Sequence, residues 1–338
     1  MEWNEQKAQE IIKKHKNRFS LRLTFKIVRV LITIFILYAI YMIVLSISYD
    51  FSKVGVRTEF YQKLAIDWTY PELTSDLSLD SPKEITPFLT QKIEIPLIRK
   101  IGKEDYVVSQ LNLNKPILSA FTHIDIAESY LYDSDDQGFW FGLPYDPESG
   151  RKLAGDEDPG VWDTLDMIHE GNVADLAFST EEYQSPKEIL ELVAPYDLTV
   201  LWMPLYMGEW EQFNEGGLSS GGDSMSLIQP WGLSGARLIN EDYRGGSLVN
   251  GLDKGTIEES QVAMLDNMQT MLKENERLAE RLLKTEHLQE RYDYLNEKGF
   301  QAYGAIVTGP VKELLKLQEL EGIHSVTLGK IKYWNWNE

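Results

Sequence analysis

Residues 30–48 form 19 consecutive positions without a charge, VLITIFILYAIYMIVLSIS. A helix needs about 20 apolar residues to cross the hydrocarbon core of a bilayer. No charge interrupts either face, which sets the run apart from an amphipathic core helix. A cleavable secretory signal would have a shorter apolar core, about 7–15 residues, followed by a small-x-small site. The nearest such site, Ser46-x-Ser48, is a poor one. The pattern predicts an uncleaved transmembrane helix over 30–48. Tyr38 and Tyr41 lie inside it and Tyr49 at its outer edge, where aromatic rings favour the interface.

After the span the pattern changes period. Residues 49–84 read as a connecting stalk, interrupted by Pro71 and Pro82 and by the loop-forming SDLSLDSP at 75–82. Two strand-like runs in 85–114 flank Gly102-Lys103-Glu104-Asp105, which predicts a hairpin. Residues 133–160 are turn-rich. A strand at 172–179 leads to Ser185-Pro-Lys-Glu188, a capping box with Pro at the first helical position. A helix with Ile189, Leu190, Leu192 and Val193 follows, then a buried strand at 198–206.

The same order returns at 300–333. A strand at 300–308 precedes Gly309-Pro310, a helix with Leu314, Leu315, Leu317 and Leu320, the terminating Gly322, and a last strand from Ile323. PKEIL at 186–190 echoes KELL at 312–315. Either the echo is chance, or two βαβ units share one sheet with both helices on one face, a ferredoxin-like sandwich with 207–299 inserted. The insertion holds the clearest helix. It opens on a second capping box, Thr256-Ile-Glu-Glu259, and repeats Leu265, Met268, Leu272, Ala279 and Leu282, with Asn275 in the seam. So polar a seam argues for a helix lying on the sheet rather than a coiled coil. The fold class expected is α+β: one N-terminal transmembrane helix followed by a mixed α/β ectodomain. The expected divisions are a basic tail (1–29), the span (30–48), a stalk (49–84), a β-rich part (85–170) and a C-terminal α/β domain (171–338).

Charge decides the orientation. The first 29 residues hold eight Lys/Arg against three Glu, a net of +5, so the rest of this chain of net charge -20 carries -25. Basic flanks stay on the cytoplasmic side. The N-terminus is therefore expected in the cytoplasm and residues 49–338 outside, in a single-pass protein of the cell membrane. A pI of about 4.7 excludes a global attraction to nucleic acid. The chain has no Cys. That removes disulfides, thiol nucleophiles, iron–sulfur clusters and thiolate zinc sites.

Few motifs in the chain spell a chemistry. Gly217-Leu-Ser219-Ser-Gly221 spells a nucleophile elbow, but no core strand precedes it and no helix start follows. Asp133-Ser-Asp135-Asp-Gln137-Gly138 matches the first half of a calcium loop, yet Pro144 stands where a bidentate Glu should be. His15, His123, His169, His287 and His324 make no i+3 or i+4 pair. The expectation is no enzyme, no cofactor and no metal site. The basic segment 7–29 has two readings. It orients the span and meets anionic lipid, or it is a helix that docks a cytoplasmic partner through Ile11, Ile12, Phe19 and Leu23.

The run KKHKNRFSLRLTFKIVRVLITIFILYAIYMIVLSISYD resembles the N-terminal module of the bacterial sigma factor regulator family. ITPFLTQKIEIPLIRKIGKE is also family-like. From about residue 198, through MLDNMQTMLKENERLAERLL to FQAYGAIVTGPVKELLKLQELEGIHSVTLGKIKYW, the chain is similar to the family's C-terminal domain. The resemblance implies a membrane-anchored anti-sigma factor of a Gram-positive bacterium. Its cytoplasmic segment would hold an extracytoplasmic-function sigma factor, and its ectodomain would sense the envelope or contact another membrane protein. A tail of about 25 residues makes a helix of about 38 Å, enough for one groove-bound helix but not for a clamp around a two-domain partner. The missing Cys excludes a zinc-type anti-sigma module. The alternative is an extracytoplasmic binding or scaffold module whose tail only orients the chain.

Overall fold

The computed structural model describes residues 5–76, 81–117, 122–126, 138–155, 159–215, 217–221, 223–237, 243, 249 and 251–333, with the backbone alone at 5–6 and 17–20. Helix α1 (Glu5–Ser52) is a single 48-residue rod, about 72 Å long at 1.5 Å per residue. Lys53 ends it with a left-handed φ of 52°, a conformation uncommon outside glycine.

Helix α2 (Val54–Thr69) follows at once. These residues fall in the segment read from sequence as a stalk, yet α2 is buried from Thr58 to Trp68. Its charges explain the difference. Glu59 receives Lys63 at 2.9 Å and Lys83 at 2.8 Å, and Asp67 pairs with Arg237. Charges neutralised by tertiary partners break the apolar pattern that sequence reading relies on.

The first sheet comprises β1 (Thr74–Ser75), β2 (Lys83–Thr86), β3 (Thr90–Ile101), β4 (Glu104–Pro116) and β5 (His123–Ile126). Its order is β1-β3-β4-β5, with β2 also on β3. The loop between β3 and β4 is only Gly102-Lys103, since Ile101 already pairs with Glu104. Strand β3 alternates strictly, turning Ile93, Ile95, Leu97, Arg99 and Ile101 inward. Ile66 of α2, together with Leu111 and Leu113 of β4, completes this small core.

Helix α3 (Pro159–Met167) leads to the second sheet. Strand β6 (Asn172–Gln184), helix α4 (Pro186–Val193) and strand β7 (Thr199–Tyr206) form the first strand–helix–strand unit. Both arms of the capping box at Ser185 and Glu188 are present. A ribbon of β8 (Leu218–Gly221) and β9 (Ser224–Leu227) precedes β10 (Trp231–Leu233). Then come α5 (Ile257–Leu283), α6 (Leu288–Lys298), β11 (Gln301–Pro310), the short α7 (Val311–Leu315) and β12 (Ile323–Tyr333). The order β10-β7-β11-β6-β12 is antiparallel throughout. The two units therefore interleave in one sheet, as the echo predicts.

Helices α4 and α7 bury Ile189, Leu190, Val311 and Leu314 in one continuous core with Leu176 and Phe178 of β6. The other face buries Trp202, Tyr206, Tyr303 and Ile306 against Phe141, Leu143 and Leu153. Two local expectations need correction. Thr256 makes no side-chain cap; the carboxylate of Asp253 accepts the N–H groups of Gly255 and Thr256 instead. Asn275 is not a passive seam residue. It breaks α5 (φ -162°, ψ 67°), and its Oδ1 accepts the N–H of Leu278 at 3.3 Å. Helix α5 packs on α2, α6 and the β10 edge.

Candidate functional site

Ile11, Ile12 and Leu23 occupy an arc of about 120° on α1, at 100° per residue. All three are exposed; Ile12 is 65 % accessible. The side chain of Phe19 lies outside the described residues, although its backbone belongs to the same helix. These side chains cannot contact each other as a packed cluster, because they follow one another along a rod. What they make is an exposed stripe along the helix. Lys13, Lys14 and Lys16 lie outside that arc, whereas His15, Arg22 and Lys26 fall within it.

The rod continues from this stripe into the apolar run without a break. Among the described residues α1 is the one helix long and apolar enough to cross a membrane by length and composition, and only 6 % of its apolar window is buried. A core helix of a soluble domain would be mostly covered. Towards its C-terminal end α1 meets the first sheet. The Tyr41 hydroxyl donates to the carbonyl of Pro87 at 2.6 Å. Tyr49 donates to the carbonyls of Leu89 and Lys115, both at 2.8 Å. Leu45 and Tyr49 are buried there.

Three buried arginines join the layers behind this mount. Arg99 of β3 donates from Nε to Asp175 of β6 at 2.7 Å and from Nη1 to Glu72 at 2.9 Å. Arg237 pairs with Asp67 of α2 and also donates to the Ser75 carbonyl at 2.7 Å and its hydroxyl at 2.8 Å. Arg291 of α6 pairs with Glu209 and, at 2.9 Å, with Glu215. Its guanidinium also lies 4.5 Å from the ring centre of Trp231, a favourable cation–π contact. Burial raises the pKa of Glu215, but hydrogen bonds from Thr285, Arg291 and the Glu286 N–H outweigh it and hold the carboxyl below its usual range.

A cavity of about 180 Å³ lies between the sheets, lined by Asp67, Glu72, Ile98, Trp202, Ser234 and Arg237 among others. Its central charges are already paired to each other, and the Trp202 indole donates to the Asp67 carbonyl at 3.0 Å. That is the chemistry of a structural joint. Ser219 is an exposed residue of the β8–β9 ribbon rather than a strand-to-helix elbow. Residues 133–137 of the calcium-like motif lie outside the described residues. His324 is buried on β12, with Nδ1 2.8 Å from the Ser325 hydroxyl. His287 stacks on Phe213. Among the described residues no group of three or more His, Cys, Asp or Glu is placed to hold a metal ion.

Sequence reasoning missed the buried arginine pairs. A usable signal was present: Arg99 keeps the inward phase of Ile95 and Leu97, and Asp175 interrupts NVADLAF. A charge in phase with an apolar face calls for a buried partner.

Comparison with known proteins places these features in one class. The N-terminal sigma factor regulator model matches residues 9–106, and the C-terminal sigma factor regulator model matches residues 165–330. The first covers most of α1 and most of the β3–β4 hairpin. The second covers the interleaved sheet. The chain belongs to the sigma factor regulator family. It is similar to the probable anti-sigma-M factor YhdL of Bacillus subtilis (strain 168), with 22% identity over 292 residues, which is 84% of this chain and 72% of that protein. No solved structure matches.

Proposed function

We propose that this protein is a membrane-anchored negative regulator that sequesters an extracytoplasmic-function sigma factor at the cytoplasmic face and responds to the cell envelope. Family membership supports negative regulation of a sigma factor. The observation that carries the rest is the continuity of α1. One unbroken helix runs from the exposed Ile11, Ile12 and Leu23 stripe through an uncharged span to a hydrogen-bonded mount on the ectodomain. A partner held on the first turns is tied to the bilayer by the same rod. The stripe, with Phe19, fits helix-in-groove recognition, in which apolar positions of an amphipathic helix fill a partner's groove. Basic residues around it hold that part of the helix on the cytoplasmic side.

The test is genetic. Changing Ile12 and Phe19 to Asp should release the sigma factor and switch on its regulon, while membrane insertion persists because the basic residues remain. Deleting the gene should have the same effect. An unchanged set of extracytoplasmic-function regulons after deletion would refute the reading.

A further inference from the structure

We propose that the turn between β2 and β3 is a second membrane contact, with Phe88 inserted into the interfacial region of a phospholipid bilayer beside α1. This rests on the reading of α1 as a membrane span. The starting observation is the hydrogen bond from Tyr41 to the carbonyl of Pro87. Tyr41 lies inside the uncharged run, seven residues before its end at Ser48. A turn bonded to Tyr41 has to share its depth.

The alternative fails on length. If the turn stayed in bulk water, the hydrocarbon would have to end before Tyr41. Only the 11 residues 30–40 would then separate Arg29 from the outer boundary. They span about 17 Å at 1.5 Å per residue, against a core of about 30 Å. The bilayer must therefore extend past Tyr41 towards Ser48, and the turn goes in with it.

The turn is built for that place. Residues 85–91, ITPFLTQ, carry no charge. A backbone group facing lipid needs a partner inside the protein, and all three carbonyls at the tip have one. Pro87 accepts from Tyr41, Phe88 from the Thr90 hydroxyl at 3.4 Å, and Leu89 from Tyr49 at 2.8 Å and from the Ile117 N–H at 3.0 Å. Pro87 has no N–H to leave bare. Leu89 holds a left-handed φ of 59°, a strained choice for such a side chain. Phe88, one residue before it, is 87 % exposed. An exposed Phe gains by burying its apolar ring at the headgroup/acyl boundary, and Phe51 at the same end of α1 is likewise exposed.

The chain has no cysteine, so single-cysteine probes report one site each. Phe88→Cys, Ile43→Cys and Val107→Cys replace exposed side chains, so none disturbs the core. Val107 pairs opposite Ile98, far up the same hairpin, about 27 Å from Thr90 at 3.4 Å per residue. Each full-length variant is labelled with an environment-sensitive fluorophore. It is then reconstituted in vesicles of phosphatidylcholine and phosphatidylglycerol and quenched either by doxyl-labelled phosphatidylcholine or by aqueous iodide. The expected result is that Phe88→Cys follows Ile43→Cys: several-fold stronger quenching by doxyl lipid than Val107→Cys, and protection from iodide. If Phe88→Cys follows Val107→Cys while Ile43→Cys is lipid-quenched, the turn lies in water and the proposal is overturned, with the anchor reading intact. If Ile43→Cys is also reached by iodide and not by lipid, the anchor reading falls and the proposal with it.

Discussion

The Nε of Arg99 donates to Oδ2 of Asp175 at 2.7 Å, joining β3 of the first sheet to β6 of the second between side chains 3 % and 1 % exposed. Removing one partner of a buried pair leaves an uncompensated charge, which costs about 3–5 kcal/mol. Burial already holds the Asp175 carboxyl above its ordinary range, with Arg99 opposing the shift. A carboxyl whose folded-state pKa lies above its unfolded value binds more protons when folded, so stability rises as pH falls into the window between the two. Arg99→Met should widen that window upward. The variant should lose about 3–5 kcal/mol at neutral pH and recover part of it on acidification. Chemical denaturation of the detergent-solubilised chain across pH measures both.

Glu215 has the opposite sign. Its folded-state carboxyl lies below the ordinary value of 4.5. Its contribution is present above that value and is lost as pH falls through the lower folded value. Glu215→Gln should therefore be less stable than the parent at neutral pH, and the difference should shrink on acidification below about pH 4.5. An acid titration that kept the two curves parallel would count against the Arg291–Glu215 pairing.

Ser185 caps α4 by accepting the Glu188 N–H, while the Glu188 carboxylate accepts the Ser185 N–H at 2.7 Å. Ser185→Ala should cost about 1 kcal/mol. A shift in the denaturation midpoint with an unchanged slope would identify it as a stability effect alone.

A Cβ on Gly304 would stand 2.2 Å from the Phe178 carbonyl oxygen, where β11 meets β6. That atom is backbone and cannot swing aside. Gly304→Ala should destabilise by about 1–3 kcal/mol or more through overpacking. Limited proteolysis should detect it as faster cleavage across the second sheet.

Orientation has its own test. The basic tail predicts that a reporter active only outside the cytoplasm works when fused after Glu338 and is silent at the N-terminus. The reverse pattern would overturn the assignment of sides.

Local chemistry made the β6–α4–β7 unit legible, because Ser185-Pro-Lys-Glu188 punctuates two apolar runs. Helix α2 was hidden because Glu59, Lys63 and Asp67 read as solvent-facing until their partners Lys83 and Arg237 arrive from elsewhere in the chain. Asn275 was visible as a polar seam residue, but its broken backbone was not. Tyr41 was legible as a position inside the uncharged run and Tyr49 as one at its outer edge. Their acceptors lie 46, 40 and 66 positions away, beyond any local periodicity. The Ile11, Ile12, Phe19 and Leu23 stripe could be drawn from helical spacing alone.

The interleaved sheet also sets the order in which the domain can close. Strand β11 sits between β6 and β7, and the Thr308 hydroxyl reaches the Ala174 carbonyl across 134 positions. The middle of the sheet is thus made almost last. Such long-range pairing slows folding, because a large loop must close before its contacts form. Until residues 301–310 emerge, β6 and β7 present facing edges with no strand between them. A chain cut short before Gln301 loses the centre of the sheet, β11, and its β12 edge as well. What is left is the short β10 on β7, with β6 standing apart from them.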